Sequence, residues 1–508
     1  MKKIFVVLLA FSLAGLPFVS CKKHQQHGTG LVYDEASYYS VPEKAHLVTR
    51  AYENLPAAVN LMYYTPTPED QGEFGTCTAW STTFAAMTTC ESIMNGRDNQ
   101  KTTLSQVFSP YYLYRSCKPH DRNGEGLNIE VALNYLKQSG VPRRKSKETW
   151  YGYDKFELNL YDNEQLYKIG NYSRLISYNT SDIEKVQIIK KSISENKPVV
   201  FGFFYYPDSF YKHNRTDWYD DGSRKEDGGH AMVVVAYDDN HENPAGIESG
   251  AFLIQNSWGT DWGWSGYIWI NYMDFAKYTE QAFEISPSIL QVLQQEPEPE
   301  PEPIVVPAPK PKPKPAPKPV VSKKEIFNGS FSLPLWKKDG NMEVTFKNNC
   351  YETKEDYAYP TMFQLYMTNK KPCYVYAFAS DSSSSKTNLL FPPENTSSLL
   401  DYSENTVVYP SEKQAIKLDD VSGTDYMIVL YSLEELDINQ IMTDYEDFVE
   451  NSVQNFDLYT AVKNAIGEKR IVSLKDTEYS KSSINFSVKM EAPTTNKVLP
   501  IIIKIKHR

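Results

Sequence analysis

The stretch Glu296 to Pro319, EPEPEPEPIVVPAPKPKPKPAPKP, limits the fold of this 508-residue chain more than any other. Proline at alternate positions removes backbone donors and fixes φ, so neither a helix nor a sheet can run through it. Extended polyproline II is expected instead, with about 24 residues rising ~3.1 Å each, a semi-rigid spacer of roughly 75 Å. A collapsed form, its Glu and Lys residues drawn together, is the alternative. The stretch divides the chain. Before it, about Leu55 to Pro287 mixes helical and strand patterns; the Pro-rich linker takes 288–324; and 325–508 shows short alternating apolar runs such as CYVYAFAS, YMIVLYS and VLPIIIKI. Turn residues separate these runs, which predicts a mainly β C-terminal domain, a sandwich or open barrel, interrupted by a helical patch from about Asp437 to Ile466. The expected class is α+β.

The N-terminus, MKKIFVVLLAFSLAGLPFVSCKK, carries two lysines, an apolar run broken by Pro17, and small residues before Cys21. This is the pattern of an export signal over 1–20, too short to span a bilayer that needs ~20 apolar residues. FVSC resembles a bacterial lipoprotein cleavage box, which implies lipid on Cys21 and attachment to a membrane of the cell envelope; secretion without lipid is the alternative. Residues 21–54 are polar and weakly patterned and are expected to form a tether. A net charge of −11 argues against a nucleic-acid surface. Residues 325–508 hold neither a Cys/His cluster of metal spacing nor a glycine-rich phosphate loop, and neither metal nor cofactor is expected for the chain.

The chemistry concentrates around Cys77, six residues after Gln71 in QGEFGTCTAW. Trp80, Phe84, Met87 and Ile93 follow at the spacing of one helix face, placing the cysteine at a helix start, where unpaired N–H groups lower a thiol pKa. Acyl transfer also needs an acid for the leaving amine and a group to hold that acid. His230 follows two glycines and precedes an apolar strand in DGGHAMVVVAYDD. Asn256 ends a second apolar strand in AFLIQNSWG, where its oxygen can accept a ring N–H of His230 and Trp258 can shield that bond. Taken singly, such a cysteine is most often a small core residue, such a histidine a satisfied strand end and such an asparagine a turn former. Their joint presence in one order is what points to a site.

Gln71, Cys77, GGHA and NSWG, in that order, resemble the papain-like cysteine peptidases over about 55–287. The resemblance implies a two-lobed catalytic domain, a helical lobe plus a β-sheet lobe. It implies Cys77 as nucleophile, His230 as acid/base, Asn256 as the orienting residue, and Gln71 with the Cys77 backbone N–H as oxyanion donors. Gly124 and Gly126 of GEGLN, with Gly229 and Trp258, take the substrate-binding positions. Phe74 and Thr78 depart from the family pattern, so the local brace there must come from packing. Only about 33 residues separate the export signal from the catalytic segment, so no long inhibitory propeptide is expected. With Cys21 lipidated and Cys77 free, Cys90 with Cys117 and Cys350 with Cys373 are candidate disulfides, or remain thiols. The acidic, aromatic insertion RTDWYDDGSRKEDGG before His230 reads as a solvated loop or a border of the cleft. Residues 325–508 resemble a bacterial accessory domain of unknown function, whose partner cannot be read. Three functions compete: an exported, membrane-tethered peptidase acting on polypeptides, an envelope amidase or transpeptidase using the same residues, and a binding protein on a papain-like scaffold.

Overall fold

The computed structural model describes residues 27–150, 153–207, 210, 216–222, 225–243, 246, 248–288, 323–381, 385–402, 405–452, 457–490 and 497–508. The export signal 1–20, the lipidation candidate Cys21 and nearly all of the Pro-rich linker lie outside the described residues.

Helical segments Cys77–Ala79, Trp80–Met87 and Thr88–Met94 follow without a break, the middle one π-helical. Every residue from Trp80 to Met87 is buried, the mark of a helix enclosed on all sides. Its hydroxyls are satisfied one turn back: Thr82 Oγ1 donates to the Thr78 carbonyl at 2.7 Å and Thr89 Oγ1 to the Ala85 carbonyl at 2.7 Å. Helices Pro110–Cys117 and Ile129–Gln138 pack around it to make one lobe.

The other lobe is an eight-stranded sheet in the order Asn171–Arg174, Thr279–Ser286, Val199–Pro207, Lys225–Asp238, Ala251–Gln255, Tyr267–Asn271, Asp217–Trp218, with Ala58–Asn60 paired to Lys225–Asp238. Along Lys225–Asp238 successive side chains serve two cores. Val233 and Val235 face the helical lobe, whereas Met232 and Val234 face the opposite layer. A strand buried on both sides reads as an unbroken apolar run. The insertion before His230 is partly sheet, not a solvated loop: Asp217–Trp218 pairs in parallel with Tyr267–Asn271, and Trp218 is buried.

Residues 324–508 form two main sheets over one shared core. Val344–Lys347, Cys350–Thr353, Val498–His507, Gly423–Ser432, Cys373–Asp381 and Asn388–Phe391 build the first, with Leu399–Leu400 at its margin. Thr406–Tyr409, Leu365–Asn369, Lys324–Ser332, Ile484–Met490 and Thr477–Tyr479 build the second. Helices Ile438–Asn451 and Leu458–Ile466 pack against each other and cover part of that core.

Two sequence expectations are corrected. Cys90, Cys117, Cys350 and Cys373 are all free thiols. The strands of Cys350 and Cys373 have Val498–His507 and Gly423–Ser432 between them. At ~4.8 Å per strand the pair stands at least about 14 Å apart, twice the reach of a disulfide, and the register offsets the two further along the strands. Cys90 and Cys117 pack as small apolar residues against the core between the helical lobe and the eight-stranded sheet. Residues 27–54 are not a tether but a strap laid across both units. Leu31, Tyr38 and Val41 belong to the core between the helical lobe and the eight-stranded sheet, Ala45 and Leu47 to the core of 324–508. Each of these apolar residues finds its partner in a different part of the molecule, so no local periodicity announces them.

Candidate active site

Cys77 opens the central helix and is fully buried. Burial pushes its thiol upward, against the backbone N–H groups of Ala231, Gly30 and Thr78, which favour the thiolate. The sequence anticipates a lowered thiol at a helix start. Loss of water outweighs the helix end here because another part of the chain covers the sulfur. His230 is buried in its strand, and its Nε2 meets Asn256 Oδ1 at 2.8 Å, leaving Nδ1 without a hydrogen-bond partner. Burial pulls the imidazole down to about 4, opposed by the Asn256 bond and aided by His27. Thiol and imidazole are therefore both neutral near pH 7 in this state. Trp258 stacks on the His230 ring, with centroids 4.4 Å apart and planes 19° apart, and seals the His230–Asn256 bond from water.

Gln71 is held from two sides. Ser257 Oγ donates to its Oε1 at 2.5 Å, and its Nε2 donates to the carbonyls of Phe74 at 2.8 Å and Gly28 at 3.0 Å. Trp258 Nε1 also donates to the Gly28 carbonyl, at 3.2 Å. Gln71 and Trp258 thus converge on one carbonyl oxygen, and that oxygen comes from the strap. The following residues continue through the cleft. Gly30 N–H and Leu31 N–H both donate to the Gly229 carbonyl, at 3.0 and 2.9 Å, the Leu127 N–H donates to Gly30 at 2.9 Å, and Val32 N–H to Leu127 at 3.3 Å. A Cβ on Gly30 would lie 2.1 Å from the Gly75 carbonyl oxygen, and one on Gly28 2.1 Å from that of Phe74. Only glycine permits so close an approach of backbone to backbone.

The structure therefore gathers Gln71, Cys77, His230, Asn256, Gly229 and Trp258 at one cleft. Gly126 borders it, since a Cβ there would meet the Gly30 carbonyl at 2.6 Å. Gly124 stands behind it: its carbonyl accepts from Gly75 N–H at 2.8 Å, bracing the loop that leads to Cys77. The brace that the family departures call for is packing and a hydrogen bond. Phe74 lies against Tyr153, with ring centroids 5.4 Å apart, and Thr78 Oγ1 donates to the Leu127 carbonyl at 2.7 Å. Two features escape the sequence reading. Ser257 is next to Asn256 and could have been singled out as an orienting group for Gln71. The strap could have been suspected from HGTGLV, where glycines alternate ahead of an apolar pair.

Residues 55–285 match the family described as papain family cysteine protease. The chain is 27% identical over 218 residues to cathepsin K of Gallus gallus, covering 42% of this chain and 58% of that protein. It is 25% identical over 211 residues to an uncharacterized peptidase C1-like protein of Acanthamoeba polyphaga mimivirus, covering 39% and 62%. It thus spans about three-fifths of the length of these curated relatives. Among solved structures, xylellain, a cysteine protease from Xylella fastidiosa, aligns at 23% identity and a TM-score of 0.39, over 52% of this chain and 96% of that one.

Proposed function

We propose, from the premise that residues 55–285 form a papain family cysteine protease domain, that this chain is an exported cysteine peptidase, held latent by its own residues 27–33. The observation that carries this reading is the convergence of Gln71 Nε2 and Trp258 Nε1 on the Gly28 carbonyl beside the buried Cys77–His230–Asn256 group. Donors arranged to receive a strap carbonyl are equally able to receive the oxygen of a substrate carbonyl as it gains charge.

With the strap withdrawn, water reaches Cys77 and His230, and a proton can pass from the thiol to the free Nδ1. The thiolate attacks the carbonyl carbon of a peptide bond, and the oxygen takes up the negative charge against Gln71. Collapse of this intermediate breaks the C–N bond, and the His230 proton leaves with the amine. Water, deprotonated by His230, then cleaves the thioester and returns the enzyme. Asn256 holds Nε2 throughout, which leaves Nδ1 as the nitrogen that carries the proton. Export and lipid on Cys21 belong to the same proposal and rest on the N-terminal residues alone; the mass of the mature N-terminal peptide tests them.

The test is peptide-library hydrolysis by the full chain after the strap is displaced, compared with Cys77→Ala. Release of peptide amines by the first and none by the second is expected. Equal turnover by both would overturn the assignment, and products joined to an added amine would make the protein a transferase.

A further inference from the structure

We infer that the C-terminal β domain is the latch of this latent peptidase: the strap can vacate the cleft only as the catalytic and β domains part. The inference rests on the peptidase reading for its consequence but not for its geometry.

Between the strap, the sheet lobe and the β domain lies a buried quartet of charges. The strap supplies Lys44, the catalytic unit Lys197 and Glu284, and the β domain Asp401. All four side chains are at most 12% exposed. Lys44 Nζ pairs with Glu284 and, at 3.2 Å, with Asp401; Lys197 Nζ reaches Glu284 at 3.0 Å and Asp401 at 2.7 Å. Ser286 Oγ donates to Asp401 at 2.5 Å, and the Lys44 ammonium also sits 4.1 Å from the centre of the Tyr402 ring. The neighbouring Glu195 also reaches Lys197, at 3.6 Å, but brings its own cation in Lys191, at 2.9 Å, so the wider cluster is balanced as the quartet is. This neutrality needs all three segments. If the strap left alone, Glu284 and Asp401 would share one lysine in a dry site. If the β domain left alone, two lysines would face Glu284. Either leaves a buried charge without compensation, so the favourable exit admits water to all three at once.

Backbone bonding says the same. Glu43 N–H donates to Asn395 and Ser397 N–H to Glu43, both at 2.7 Å, tying the strap to the β domain. The next residue ties it to the catalytic unit, Lys44 N–H to Arg174 at 2.8 Å. Val48 N–H donates to Thr406 at 3.0 Å, and Tyr402 Oη to the Ala45 carbonyl at 3.1 Å. From this seam to the cleft the strap is stiff. Helix Glu35–Ser40 starts on an Asp34 cap, and Tyr38, fully buried, donates to the Ile176 carbonyl at 2.8 Å. Movement at Lys44 is therefore transmitted to Leu31 rather than absorbed between them.

The experiment uses the full chain with Asp401→Asn, Lys44→Met, and both together. Two readouts are taken: hydrogen exchange at the Gly30 and Leu31 amides, and alkylation of Cys77 read by mass on its own peptide. Each single change is expected to raise both rates at least tenfold. The double change, which restores neutrality by removing one charge of each sign, is expected to raise them by less than the product of the single effects. Single variants exchanging at wild-type rates, or strictly multiplicative effects, would overturn the latch. Lys44→Met leaves the β domain sequence intact, so a failure of Asp401→Asn to fold leaves the test standing. If exchange accelerates but no variant cleaves peptides, the latch stands and the peptidase reading falls. If a cleft-opened chain cleaves peptides while these variants stay closed, the reverse holds.

Discussion

Gly30→Ala is the most direct way to separate the strap from the cleft without touching a reacting group. An added Cβ would lie 2.1 Å from the Gly75 carbonyl oxygen and 2.4 Å from the Gly75 carbonyl carbon and Cα. These are backbone atoms, and Gly75 N–H is itself tied to Gly124, so no side chain can swing aside to make room. The strap must lift. Lifting at Gly30 forfeits three hydrogen bonds, from Gly30 and Leu31 to Gly229 and from Leu127 to Gly30. At about 0.5–1.5 kcal/mol each, the closed state loses roughly 1.5–4.5 kcal/mol, which raises the open fraction by about 10- to 2,000-fold. The expected result is a rise of that size in the rate at which a thiol-directed epoxide labels Cys77, with the seam amides of Glu43 and Lys44 exchanging faster in step. Unchanged labelling, in a variant that melts like the parent, would refute the claim that residues 28–31 are what covers the sulfur.

The closed state should also be most stable near neutrality. His230 is pulled down to about 4 by burial, whereas an exposed imidazole titrates near 6.5, so closure is fully supported above 6.5 and weakens as pH falls toward 4, by up to about 3 kcal/mol. The Cys77 thiol is raised, so closure also weakens as pH climbs past the ordinary thiol range. Asp401, held low by Lys197 and Lys44, and Lys44 itself, raised by Asp401 and Glu284, act in the same two directions. His46, an exposed ring raised by Glu43, opposes the acid limb weakly. Hydrogen exchange at Leu31, corrected for intrinsic rates, should trace a minimum between the limbs; a monotonic profile would contradict it. Asn256→Ala, placed in the Gly30→Ala background, removes the acceptor of His230 Nε2 and should lower kcat about 10- to 100-fold with little change in KM. A loss confined to KM would assign Asn256 to substrate binding instead.

What could be read from the sequence was what is local. A cysteine at a helix start, a histidine entering an apolar strand after two glycines and an asparagine leaving another strand are each set by their own neighbours. The structure brings these three to one cleft because the strand of His230 lies between Val199–Pro207 and Ala251–Gln255. The alternation of 325–508 similarly exposes its β character, since each strand carries its own pattern of faces. The strap had no such signature. Leu31, Tyr38 and Leu47 are ordered by surfaces contributed by residues as distant as Phe283 and Val407, and a segment with no core of its own has no period to detect. The cysteine pairing failed for a related reason: an even count says nothing about which strands end up adjacent, and Cys350 and Cys373 were placed in one sheet with two strands between them.

The arrangement also explains why control belongs in the seam rather than in the cleft. On the proposed function, Gln71, Trp258 and Gly229 bind the strap with the same atoms that a substrate would need, so strengthening those bonds to hold the strap would change the grip on substrate in step. The cleft therefore cannot set the latent fraction independently of catalysis. Residues 41–49 can, because none of their contacts with Arg174, Asn395, Ser397, Asp401, Tyr402 or Thr406 touches a reacting group. A small change in the charge balance around Lys44 moves the closed population while leaving the chemistry at Cys77 as it was. Placing a buried, neutral quartet there makes the response steep, since opening by any one segment leaves a charge unmatched and opening by all three removes the penalty together.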